Sequence, residues 1–336
     1  MKPEEFVTGL KQNKLYFDEK LCILLSDYII KNMSLKNITS IYTLAKRFGL
    51  SKFAVEIVSF MRKCFTISVK DNWLEYPETK QFRINPDVVF LKQLVYSFGG
   101  GNPDRDPIRE VQKYSFACDK WSIVTSSPDD RRHFCVCAFE SRAVVIGGCF
   151  YNYDNEFENT ASCWEFDAVR NSWKELAEMK WARNFAACAV FKNEIVVSGG
   201  EGDEEEALKS VEAYDERKKK WRPMPDMNMA KEGHCMLVVE KKLFVIGEKD
   251  QLCEVFDEKC NKFSFLKSPK VPELNAHFVR SVSIGNKIIV FGKNKTKAFC
   301  YDITTDKWSE MAFEFVENMF ICKNILSTIL SIELTK

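Results

Sequence analysis

Hydrophobic and polar positions change rhythm near residue 77. Before it, apolar residues recur at helical spacing. Leu21, Leu24, Leu25, Tyr28 and Ile29 form one set, and Ile38, Ile41, Tyr42, Ala45 and Phe48 a second. Ala54, Ile57, Val58, Met61, Cys64 and Phe65 form a third. Ser34 and Ser51 suit helix N-caps, and Gly49 suits a C-terminal stop between the second and third helices. From about residue 90 the chain instead repeats short apolar runs that end in glycine. Leu94–Phe98 precedes Gly99-Gly100, Val144–Ile146 precedes Gly147-Gly148, and Ile195–Ser198 precedes Gly199-Gly200. Leu243–Ile246 precedes Gly247 and Ile288–Phe291 precedes Gly292, giving first-glycine spacings of 48, 52, 48 and 45 residues. A period of this size marks a repeat architecture.

Each copy also carries two aromatics seven positions apart: Tyr114 and Trp121, Phe166 and Trp173, Tyr214 and Trp221, Phe256 and Phe263, Tyr301 and Trp308. The loop ahead of each pair varies in length, yet the separation does not. That constancy predicts two strands joined by a tight turn, with both aromatics held against fixed neighbours. The turns between them, such as Asp167–Ser172, Asp215–Lys220 and Asp302–Lys307, are mostly polar and open with Asp. A further strand is predicted before most glycine runs, at Phe134–Phe139, Phe185–Phe191, His234–Val239 and His277–Ile284. Four strands per repeat cannot bury both faces alone, and four-stranded sheets repeated radially make a β-propeller. The fold class is therefore mainly β, with five recognisable four-stranded blades.

The order of apolar run, Gly-Gly, Tyr/Phe-Asp and Trp at this period resembles the kelch repeat, over about residues 90–310. The landmarks are Gly99, Gly100, Trp121, Gly147, Gly148, Trp173, Gly199, Gly200, Trp221, Gly247, Gly292 and Trp308. Departures from the pattern are Gly247-Glu248 and Gly292-Lys293 in place of a glycine pair, Phe263 for Trp, and Ser115 for Asp. Propellers of this kind usually have six blades. The tail, with candidate strands Met319–Lys323 and Ser327–Ile332, has room for a degenerate sixth, or for the first strand that repeat one lacks. Leu21–Phe65 resembles the junction of a BTB and a BACK domain, through Asn37-Ile38, Ala45-Lys46-Arg47-Phe48-Gly49-Leu50 and Val58-Ser59-Phe60. The expected organisation is a helical BACK-like domain at 1–76, a linker at 77–89 framed by Pro77 and Pro86, and the propeller at 90–336. On this resemblance the BTB part is missing and the BACK part truncated.

Composition narrows the function. Lys+Arg 49 against Asp+Glu 48 leaves a net charge of +1, which argues against nucleic acid or an anionic membrane as main partner. The hydrophobic share of 46% is that of a globular chain. No apolar run approaches the roughly 18 residues of a membrane span. A polar, acidic start (Met1-Lys2-Pro3-Glu4-Glu5) and 13 irregularly spaced Cys point to reduced thiols, so the expected place is the cytoplasm, with the nucleus as alternative. Catalysis has little support. His133, His234 and His277 sit at corresponding places in different blades, and a metal site from them is less economical than three strand-end residues. Cys135-Val136-Cys137 places both thiols on one sheet face without a second ligand pair. Gly99-Gly100-Gly101-Asn102-Pro103 lacks the Lys-Ser/Thr of a phosphate loop. No cofactor, metal or catalytic residue is expected.

Loops between blades, and loops after each second strand, should gather on one face around the axis. They carry Arg131, Arg132, Arg183, Asn184, Lys231 and Arg280, with Tyr151, Asn152 and Tyr153 in the longest. Arg and Tyr favour protein interfaces, offering fork-shaped donors and rigid aromatic area. The acidic run Glu201–Glu206 and the basic run Arg217–Lys220 are expected as solvated surface, or as rim charges for a partner. The resemblance implies a non-catalytic substrate adaptor of a cullin-RING ubiquitin ligase: the propeller holds a protein substrate while the helical part helps hold cullin-3. Some kelch propellers bind actin, which is the alternative partner.

Overall fold

A computed structural model describes residues 83, 86–92, 94–102, 106–115, 120–151, 157–247, 252–270, 279–291 and 297–312. The expected helical region at 1–76 and the tail strands lie outside these residues, as do Asn152, Tyr153, His277 and Gly292.

The described residues form five antiparallel four-stranded blades. Blade 1 comprises β1 (Asp87–Leu91), β2 (Leu94–Phe98), β3 (Glu110–Ser115) and β4 (Lys120–Ser126). Blade 2 opens with β5 (Cys135–Phe139) and β6 (Arg142–Ile146). A separate hairpin follows, β7 (Cys149–Tyr151) and β8 (Phe157–Asn159), before the blade is completed by β9 (Cys163–Asp167) and β10 (Ser172–Leu176). Blade 3 comprises β11 (Ala187–Phe191), β12 (Glu194–Ser198), β13 (Val211–Asp215) and β14 (Lys220–Met224). Blade 4 comprises β15 (Cys235–Val239), β16 (Lys242–Ile246), β17 (Leu252–Asp257) and β18 (Lys262–Lys270). Blade 5 comprises β19 (Arg280–Ile284), β20 (Lys287–Phe291), β21 (Lys297–Asp302) and β22 (Lys307–Ala312).

Blade 1 therefore has its own first strand, β1, in the place for which the sequence suggests the tail. Its run Val88-Val89-Phe90 follows Pro86-Asp87, and the proline hid it. The strand also begins inside the stretch expected as linker.

The first strands of successive blades meet in order, β1 with β5, β5 with β11, β11 with β15 and β15 with β19. Arg280 on β19 then reaches back to Asp87 on β1 at 3.8 Å, joining the last blade to the first. Continuous apolar clusters fill the spaces between blades. Tyr96, Phe98, Val145 and Phe166 pack between blades 1 and 2, Val144, Ile146, Val197 and Tyr214 between 2 and 3, and Phe191, Val196, Val245 and Phe256 between 3 and 4. Phe244, Ile246, Val290 and Phe299 do the same between blades 4 and 5. Alternation along each strand sends one set of side chains to each neighbouring blade, so every second strand is apolar on both faces.

The seven-residue aromatic spacing has a direct cause. Phe166 lies opposite Trp173, Tyr214 opposite Trp221, Phe256 opposite Phe263 and Tyr301 opposite Trp308. Ring centroids of all five pairs, Tyr114–Trp121 included, lie 5.1–5.5 Å apart and tilted. The Asp that opens the turn fixes this register. Asp167 Oδ1 accepts the amides of Val169 and Arg170, and Asp215, Asp257 and Asp302 repeat the pattern on their own turns. Each turn ends in a left-handed residue: Asn171, Lys219, Asn261 or Asp306.

Candidate functional site: the loop face of the propeller

The loops entering blades 2 and 3 and those following their second strands lie together. Arg132 and Cys149 exchange backbone hydrogen bonds at 2.9 Å, as do Asn184 and Glu201 at 2.9 and 3.1 Å. Glycine makes this approach possible. Gly148 has φ +102° and Gly200 φ +94°, and a Cβ there would stand 2.5 Å from the Arg132 and 2.4 Å from the Asn184 carbonyl oxygen; at Gly147 (φ +61°) it would stand 2.4 Å from the Arg183 carbonyl oxygen.

On this face a belt of main-chain bonds links the blades. The Phe185 amide donates to His133 O, the Gly233 amide to Phe185 O, and the Val279 amide to Gly233 O, at 2.8, 2.8 and 3.0 Å. His133, Phe185 and Gly233 all have positive φ. The His133 and Phe185 rings pack with centroids 4.1 Å apart and planes tilted by 41°. Burial, aided by the neighbouring Arg132 charge, lowers the His133 pKa to about 4, so its ring is neutral near pH 7.

The expected recognition residues divide into two groups. Arg131, Arg183, Asn184 and Lys231 are buried. Arg131 forks onto Asp129 at 2.8 and 2.5 Å and donates to Gly147 O and to the Ser162 carbonyl and hydroxyl. Arg183 donates to Gly199 O, to the Ser210 carbonyl and hydroxyl, and to Glu212 at 2.8 Å. Lys231 lies 4.0 Å from the fully buried Glu254. These cations hold the glycine turns and inter-blade loops in place. Arg83 is a fourth that sequence reasoning missed: it donates to Gly99 O at 2.8 Å, and burial lowers its pKa to about 10 against the pull of Glu110. A signal for it does exist, since Arg83, Arg131, Arg183 and Lys231 each precede the first glycine of their repeat by sixteen positions. Glu212 and Glu254, two positions before the first aromatic of their repeats, were missed as well. Glu212 accepts the Lys180 and Trp181 amides; Glu254 accepts those of Asn228 and Met229.

Arg132 and Tyr151 are open to solvent on at least one side. The Arg132 guanidinium lies over the Tyr151 ring at 4.5 Å, and Tyr151 stacks on Phe157 across the β7–β8 hairpin at 4.6 Å. Tyr151 is 45% exposed and Phe157 53%, and the Phe157 edge faces His133 at 6.1 Å. Trp181, 47% exposed with Lys180 over its ring, belongs to the next inter-blade loop. Arg280 is half-buried at the axial end of blade 5. Its partner Asp87 has a raised pKa, because burial outweighs the Arg280 charge and a hydrogen bond from the Val136 amide.

Among the described residues no three or more His, Cys, Asp or Glu side chains are grouped to hold a metal. His234 is buried against the Ser198 hydroxyl at 2.8 Å, and Cys135 and Cys137 line the seam with blade 3. A crevice between blades 1 and 2, lined by Phe98, Asp129, Arg131 and Trp164 among others, has room for about one water.

A propeller with glycine-turn blades, cross-strand aromatic pairs and a loop-built face defines a class, and comparison with known proteins agrees. Residues 59–248, more than half the chain, match the family described as the KLHDC2/KLHL20/DRC7 Kelch-repeats domain. The chain belongs to the kelch-repeat family. It is 26% identical over 187 residues to the F-box/kelch-repeat protein At1g67480 of Arabidopsis thaliana, covering 53% of this chain and 48% of that protein. To Kelch-like protein 38 of Rattus norvegicus it is 25% identical over 222 residues, covering 64% and 37%. To alpha-scruin of Limulus polyphemus it is 22% identical over 209 residues, covering 58% and 23%. The matches thus span half or less of each of these relatives. The solved structure of YjhT superposes with a TM-score of 0.56 at 15% identity, over 66% of this chain and 76% of that one, which shows the fold. Kelch-repeat relatives mark the propeller as a protein-interaction module.

Proposed function

We propose that the loop face of this propeller recognises a protein substrate, and that the chain is a cytoplasmic substrate adaptor of a cullin-RING ubiquitin ligase. The observation that carries the recognition part is the Arg132–Tyr151–Phe157 stack. Two large aromatics about half-exposed beside a guanidinium form an anchor site of the kind that dominates protein interfaces. Supporting it, the stack sits on a rigid frame of buried cations and backbone bonds, so little order is lost on binding. The adaptor part rests on kelch-like relatives and on the resemblance of Leu21–Phe65 to a BTB–BACK junction, which would hold cullin-3. Ubiquitin transfer itself would belong to other subunits.

Calorimetric titration of the full chain with the amino-terminal region of cullin-3 tests the adaptor part. Saturable one-to-one binding is expected. Absence of binding, with the chain instead co-sedimenting with filamentous actin, would overturn it in favour of a cytoskeletal scaffold.

A further inference from the structure

The aromatic hairpin does not stand alone on the loop face. Asn159, the last residue of β8, donates through Nδ2 to the Gly202 and Glu201 carbonyls at 2.8 and 3.3 Å. Its Oδ1 accepts from Asn184 Nδ2 at 2.8 Å, and the same Asn184 nitrogen reaches Glu201 Oε1 at 3.2 Å. These bonds clamp the hairpin of blade 2 onto the 201–206 loop of blade 3, making one continuous surface. That loop presents Asp203, Glu204, Glu205 and Glu206 to solvent, and β8 adds exposed Glu158. Arg132 is the cation on the aromatic side, already engaged over Tyr151. Internal bonds shape the loop, the Gly202 amide donating to Glu206 O and the Glu205 amide to Gly202 O. Two stacked aromatic rings thus border five exposed carboxylates, none of which forms an ion pair with a cation among the described residues.

We propose that this surface, the β7–β8 hairpin with the 201–206 loop, takes a basic peptide segment of the partner protein. An aromatic or aliphatic side chain would pack on Tyr151 and Phe157, and flanking Lys or Arg would face Glu158 and Asp203–Glu206. The inference rests on the loop face being the recognition surface, and it adds the chemical class of what is recognised. Charge complementarity selects this occupant: an acidic segment would meet like charges, which cost affinity and slow association. The carboxylates are exposed, so their attraction is expected to fall as salt rises.

Selection of a displayed library of random peptides on the full chain tests this. Peptides with Lys or Arg around an aromatic or aliphatic residue should be enriched. A synthetic peptide of that composition should then bind about tenfold more weakly to the Glu204→Lys/Glu205→Lys chain, and similarly to the Phe157→Ala chain. The loop variant changes only solvated side chains, so an unaltered melting transition is expected and separates lost binding from lost fold. Enrichment of acidic or uncharged peptides, or affinity indifferent to the loop charges, would overturn the inference while leaving the propeller a recognition module. Failure to enrich any peptide would overturn it too; the cullin titration judges the adaptor reading independently.

Discussion

Arg183 shows how a single side chain can look like an interface residue and serve as a rivet. Its guanidinium is fully enclosed, and Glu212 opposes the burial that lowers its pKa. Replacing it with Met leaves Glu212 buried beside the Lys180 and Trp181 amides without its cation. Loss of one partner from a buried pair costs about 3–5 kcal/mol. Urea unfolding of Arg183→Met should show a midpoint lowered accordingly, and binding altered only through the loss of fold. His234 is the second residue with a measurable signature. Burial, with Lys231 and Arg183 nearby, lowers its pKa to about 3. Below about pH 6.5 the unfolded chain protonates this His while the native chain does not, so its contribution to stability falls as pH falls. His133, lowered to about 4, acts in the same direction. Between pH 6.5 and 4 the wild type should lose on the order of 1 kcal/mol per pH unit more than His234→Gln does. Parallel profiles for the two proteins would show that this ring is not held neutral.

Elements were legible wherever a rule of spacing forced them. The second strands, the aromatic pairs and the Asp turns follow from periods of two and seven, and the strands fall where those periods put them. β1 was not legible, because it starts directly after Pro86 inside the stretch read as a linker. The site was less legible still. Composition flagged basic residues on the right loops, but position alone does not tell a buried guanidinium from a presented one. The sixteen-residue interval to the first glycine was the missing signal for Arg131, Arg183 and Lys231. The insertion in blade 2 was visible only as a long loop; its pairing into β7 and β8, which presents Tyr151 and Phe157, needed the structure. Gly147→Ala places a Cβ against the Arg183 carbonyl at a left-handed φ, so it should destabilise by more than about 1 kcal/mol in urea unfolding. Tyr151→Ala and Phe157→Ala remove only half-exposed rings. Their stability should shift by less than about 1 kcal/mol while partner affinity falls by at least about tenfold, measured by calorimetry and surface plasmon resonance.

Among the described residues the blades follow one another as a propeller, apolar clusters filling the spaces from blade 1 to blade 5, and Arg280 with Asp87 joins the last to the first. Such an arrangement frees its loops from holding the core. The buried Arg and Lys side chains, the glycine approaches and the main-chain belt from His133 to Val279 fix the loop face as one surface. The opposite edge consists of short Asp turns, alike in every blade where their bonds are described, and offers little by which to distinguish a partner. The proposed recognition surface is the loop face. Hydrogen–deuterium exchange of the full chain, alone and bound to a partner cross-linked and co-purified from cells, tests it most directly. Protection on binding should fall on 131–134, 149–151, 157–159, 183–185 and 201–207. Protection confined to the turns at 168–171, 216–219 and 258–261, with the loop face unchanged, would contradict it.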